Sequence, residues 1–116
     1  MIHLLVNAVV RTLDDSLPVA QALAVKDGRI VEVGGTDEIL WLREDDYEVI
    51  DLAGRAIVPG RTDSGDRVRV GGVLAAGNAA NFLVLFADPG EDPAAGPEGL
   101  QVVERWVDGA RIMVRP

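Results

Sequence analysis

The chain has 116 residues, 48% of them apolar and 26% charged, which allows one globular domain of ordinary size and excludes a disordered one. Eleven basic against nineteen acidic residues leave a net charge of −8, so neither nucleic acid nor a membrane surface is expected as a partner. No cysteine and a single histidine, His3, exclude thiolate chemistry, disulfides, zinc–cysteine sites and metal sites built mainly on imidazoles.

The apolar opening from Ile2 to Val10 is long enough for one strand, with Asn7 as its polar interruption. No basic region precedes it, and no run reaches the ~18 apolar residues that span a bilayer, so a cytoplasmic location is expected. Asp14-Asp15-Ser16 before Pro18 reads as a turn, because these side chains hydrogen-bond their own backbone. Val19 to Val25 and Arg29 to Val33 flank Asp27-Gly28, which supplies the positive φ angles of a tight hairpin turn. Thr36 is placed as the cap of a two-turn helix, with Asp37 and Glu38 in its first turn and Arg43 in its last. Ile39 and Leu42 give that helix one apolar edge to lay on a sheet, and Trp41 is assigned to the core. The acidic Glu44-Asp45-Asp46 reads as a solvated turn.

Two short strands, Tyr47 to Leu52 and Arg55 to Val58, flank Ala53-Gly54. Val68 and Val70 alternate with Arg67 and Arg69 as in a half-buried edge, and Gly71 to Gly77 reads as a flexible link. Phe82 to Phe86 is a continuous apolar run, expected to be a strand buried on both faces. The Pro/Gly-rich stretch from Asp88 to Gly99 reads as a loop. A second hairpin follows: Val103 to Val107 and Arg111 to Val114 around Asp108-Gly109, its loop lengthened by Ala110. Eight or nine strands and one short helix predict an all-β fold, a β-sandwich or small barrel.

Few residues carry chemistry. Asp63, Ser64 and Asp66 in a Gly-flanked loop form a weak candidate cation site, although a calcium loop offers more carboxylates at alternating positions. His3 with Ser16 or Ser64 would be a base and nucleophile, but no nucleophile-elbow motif supports the pair. No catalytic residue and no cofactor are expected. Trp106, with Val103 and Val107 on the opposite face of its strand, is the candidate interface.

Several motifs together resemble the metal-dependent amidohydrolase superfamily, nearest its amidohydrolase family 3 branch. They are Leu5-Val6-Asn7-Ala8, Ala24 to Ile30, Val33-Gly34, Val49 to Leu52, Gly54 to Gly60, Gly77 to Leu85 and Trp106 to Arg111. The resemblance implies that residues 1–60 and 77–116 are the two halves of a composite β-sandwich. In such enzymes a catalytic (β/α)-barrel of ~250 residues lies between these halves; here residues 61–76 replace it. The family's His-Xaa-His positions fall on Gly65 and Arg67; glycine has no ligand atom and a guanidinium is permanently cationic, so no metal is expected. The resemblance thus implies a stand-alone, non-catalytic domain that acts as a dimer or on a protein partner. The alternative is part of a hydrolase of non-peptide carbon–nitrogen bonds, with its barrel on another chain.

Overall fold

Asn7 sets how the chain begins. In the computed structural model, which describes residues 1–62, 68–69, 73–87 and 102–113, the opening run forms two strands, β1 (Ile2–Val6) and β2 (Val9–Arg11). Asn7 between them has φ 55°, a left-handed conformation that its short polar side chain tolerates. There the chain leaves one sheet for the other, which corrects the expectation of a single strand. The next run divides in the same way at Gln21, into β3 (Val19–Ala20) and β4 (Ala22–Lys26).

After β5 (Arg29–Gly34) and the helix α1 (Thr36–Leu40), a third crossing separates β6 (Tyr47–Asp51) from β7 (Ala56–Pro59). Ala53 and Gly54 make this turn at φ 51° and 89°. The three crossings lie side by side and are bonded together. The Ala8 N–H donates to the Gln21 carbonyl at 2.8 Å, and the Gly54 N–H donates to the Asn7 carbonyl at 2.7 Å. Each crossing thereby satisfies backbone groups that neither sheet can reach.

The remaining strands are a short ribbon of β8 (Arg61–Thr62) with β9 (Val68–Arg69), then β10 (Phe82–Leu85), β11 (Val102–Val107) and β12 (Ala110–Met113). The first sheet has the order β5-β4-β1-β6 and the second β12-β11-β10-β7-β2-β3. Both are mixed, because β1 pairs β6 and β2 pairs β7 in parallel while the other pairs are antiparallel. The result is an all-β sandwich with one short helix, as the sequence predicts.

Period-two alternation sorts the side chains into layers. Leu5, Leu23, Val25 and Ile50 of the first sheet meet Val10, Ile57, Phe82, Val84 and Trp106 of the second in the main core. The alternate residues Ile2, Leu4 and Val6, with Ala22 and Ala24, turn to the other face and pack on Ile39 of α1, with Leu42 half-buried beside it. On the far face of the second sheet Ala56, Val58, Leu83 and Leu85 form a third buried cluster. β10 is therefore buried on both faces as expected, whereas Phe86, just past its end, is 62% exposed.

The helix is shorter than expected. Gly35 is its N-cap, and the Glu38 carboxylate reaches back to the Gly35 N–H at 3.4 Å. Thr36 is the first helical residue, and its hydroxyl accepts the Asn7 N–H at 3.0 Å, so it holds the sheet crossing rather than the helix end. The helix stops before Arg43. Trp41, assigned to the core from sequence, is 86% exposed at the C-cap, because Ile39 and Leu42 already occupy the face toward the sheet.

Candidate functional site

The Asp-Gly dipeptides build one end of the sandwich. Asp27-Gly28 (φ 53° and 80°) joins β4 to β5, and Asp108-Gly109 (φ 48° and 82°) joins β11 to β12. Val107 pairs directly with Ala110, so the second turn is also a two-residue loop, and the longer loop expected there is corrected. The two turns touch backbone to backbone. A Cβ placed on Gly109 would lie 2.6 Å from the Gly28 Cα, and one on Gly28 would lie 2.9 Å from the Asp108 carbonyl oxygen. Ala80 bridges them: its N–H donates to the Gly28 carbonyl at 2.9 Å, and its carbonyl accepts the Gly109 N–H at 3.1 Å.

The strands behind these turns bring together the most concentrated polar group among the described side chains. Glu104, 3% exposed, accepts from Trp106 Nε1 at 3.1 Å and from Arg111 Nε at 2.8 Å through Oε1. Its Oε2 accepts from Arg111 Nη2 at 3.1 Å. This two-pronged geometry is the strong form of a carboxylate–guanidinium pair. The Glu104 hydrogen bonds, and to a lesser degree the Glu104 and Glu48 charges, raise the Arg111 pKa above its usual value against a smaller desolvation effect. Trp106 also stacks on Phe82 (centroids 5.3 Å apart, 18° between planes) and meets the edge of His3 at 5.7 Å. His3 Nδ1 in turn lies 2.9 Å from Glu48 Oε1.

The sequence contained a signal for this cluster. Glu104 and Trp106 are two apart and share a strand face, and a two-residue turn at Asp108-Gly109 places Trp106 opposite Arg111. Chemically the arrangement offers a satisfied carboxylate, an imidazole paired to a second carboxylate and a capped indole. It contains no nucleophile. The Ser16 hydroxyl donates to Asp14 Oδ1 at 2.7 Å rather than to His3.

The other predicted sites separate. Trp106 is 1% exposed and belongs to the core; Val103 and Val107 beside it are half-buried. Asp63, Ser64 and Asp66, with Gly65 and Arg67, lie outside the described residues, as does the loop expected from Asp88 to Gly99. Glu44 accepts from Lys26 Nζ at 2.9 Å, and Asp45 and Asp46 are exposed, as expected of a solvated turn. Among the described residues no group of three or more His, Asp or Glu is placed to hold a metal ion, and no helix is long and apolar enough to cross a membrane.

No family model matches the chain. It is 39% identical over 103 residues to an N-substituted formamide deformylase from Arthrobacter pascens, a match covering 88% of this chain and 17% of that protein. It is 54% identical over 44 residues to an imidazolonepropionase from Symbiobacterium thermophilum, covering 36% of this chain and 10% of that one. Among solved structures, an enamidase described as a member of the amidohydrolase superfamily is 32% identical, with a TM-score of 0.43, over 54% of this chain and 17% of its own. The chain spans less than a fifth of the length of the curated relatives it matches. The similarity to metal-dependent amidohydrolase superfamily proteins thus covers most of this chain and a small part of theirs, consistent with a single domain of such proteins.

Proposed function

We propose that this domain is non-catalytic and works through its surface, by self-association or by binding another protein. One observation carries the reading: the exposed apolar side chains around the end of α1 and strand β6. Trp41 is 86% exposed, Tyr47 44% and Val49 45%, although the sandwich has a well-filled core into which such residues normally go. Tyr47 and Val49 share the helix-side face of β6, in register with Ile2 and Leu4, while α1 packs over β1, β4 and β5. Sedimentation velocity over about a hundredfold range of concentration is expected to show reversible association that weakens in Trp41→Ser. A strict monomer at the highest concentration overturns the self-association form of the proposal.

The identity to a deformylase favours a second reading, in which this chain completes a hydrolase of carbon–nitrogen bonds whose barrel is on another polypeptide. It predicts a neighbouring gene for a lone barrel carrying His-Xaa-His. It also predicts a stable complex when the two purified chains are mixed; two separate peaks on gel filtration would remove it.

A further inference from the structure

The first sheet ends in a strand that is open on one side. β6 pairs with β1, and no second strand joins it among the described residues. The direction of its backbone follows from two bonds at its ends. The Asp46 carbonyl accepts from the Ile2 N–H and the Leu52 N–H donates to the Val6 carbonyl, so the even-numbered residues face β1. In a strand the alternate residues face the other way, so Tyr47, Val49 and Asp51 turn their N–H and C=O groups to the open side.

We infer that this edge is the contact between two copies of the chain, joined antiparallel about Val49. The inference rests on the self-association reading above and specifies its surface. An antiparallel pair centred on Val49 sets Val49 against Val49 of the second copy, and Tyr47 against Asp51. These are the residues whose backbone groups face the open edge, so every such group finds a partner. The charges fit the same register. Glu44, Asp45, Asp46, Glu48 and Asp51 then lie opposite Gly54, Ala53, Leu52, Ile50 and Tyr47, so no two carboxylates are directly opposed. Three of the five are also engaged at home: Glu44 by Lys26, Glu48 by His3, and Asp51 by the Ala53 N–H. Glu48 therefore turns toward the neighbouring strand and does not guard the edge as inward charges on edge strands often do. A two-fold contact of this kind is closed, so it yields dimers and no fibre.

Val49→Pro is the decisive variant. Proline removes an N–H that the monomer does not use and is tolerated on an open strand edge. The variant is expected to keep the wild-type circular dichroism and to stay monomeric where wild type dimerises. Val49→Lys, which sets two ammonium groups directly opposite each other, is expected to do the same and serves if the proline variant fails to fold. Each copy carries −8, so screening is expected to raise the dimer fraction between about 50 and 500 mM salt. Association of both folded variants at wild-type strength would overturn this edge while leaving self-association in place. A dimer fraction that falls with salt would overturn the carboxylate register, and a monomeric wild type would overturn both readings.

Discussion

Trp41 and Trp106 occupy opposite environments, one 86% and the other 1% exposed, although both stand in short apolar–charged stretches. The difference lies in what each can reach. Trp106 is on β11, where the neighbouring strand β10 stacks Phe82 on its ring, the opposite sheet brings His3 edge-on, and its own strand supplies Glu104 for its N–H. Trp41 stands at the end of a helix whose sheet-facing positions are already filled by Ile39 and Leu42. A large aromatic is buried where its polar atom has a partner and its ring has a facing layer, and residue size alone does not secure that.

The largest effect is expected from removing the buried ring. Trp106→Ala should cost about 3–5 kcal/mol in urea unfolding, because it empties a packed site and strips Glu104 of a donor. Trp41→Ala should change stability by less than about 0.5 kcal/mol, as an exposed substitution does. Equal losses in the two variants would erase the contrast between the regions.

The glycine turns sharpen it at a smaller scale. Gly109→Ala must adopt φ near 82° and also push its Cβ against the Gly28 backbone. Its cost in the same unfolding assay should exceed the roughly 1–2 kcal/mol of a left-handed residue alone. Gly54→Ala, at φ 89° with nothing within 4 Å of the added carbon, should cost only that conformational part. If the two variants lose the same stability, the contact between the hairpin tips contributes nothing.

The smallest effect is electrostatic. Hydrogen bonding to Glu44 raises the Lys26 pKa, with the Glu44 charge acting in the same direction. A raised cation stabilises the folded state below its ordinary value of 10.5 and loses that contribution as pH rises through the raised value. A slight difference in melting temperature between wild type and Lys26→Met should therefore be present at pH 9 and shrink toward pH 12. Screening by solvent keeps it small. Arg111 behaves differently: its raised pKa keeps the Glu104 pair charged throughout this range, so the closed end should not follow the same titration.

Much of the fold was legible because turn chemistry is local. Asp27-Gly28 and Asp108-Gly109 adopt the positive φ angles that their sequences predict, and strands flank each of them, as they flank Ala53-Gly54. The unbroken apolar run at Phe82 correctly marked a strand buried on both faces. The division at Asn7 was not legible in the same way. An apolar strand reads alike whether it stays in one sheet or crosses to the next, and the polar residue at its centre marked only an interruption. The Glu104–Trp106–Arg111 cluster needed the exact hairpin register, which the supposed longer loop at Ala110 obscured.

The sequence by itself determined the strand-rich class, the positions of the two Asp-Gly turns and the resemblance to a superfamily, since these depend on backbone preferences and on motifs read along the chain. The tertiary structure alone decided which tryptophan is buried, how His3 meets Glu48 and Trp106, and which strand edge is open. Those outcomes depend on residues far apart in sequence competing for the same volume, and the Gly28–Gly109 contact shows the reason. Two turns with the same local chemistry become one feature only when the sheets that carry them meet.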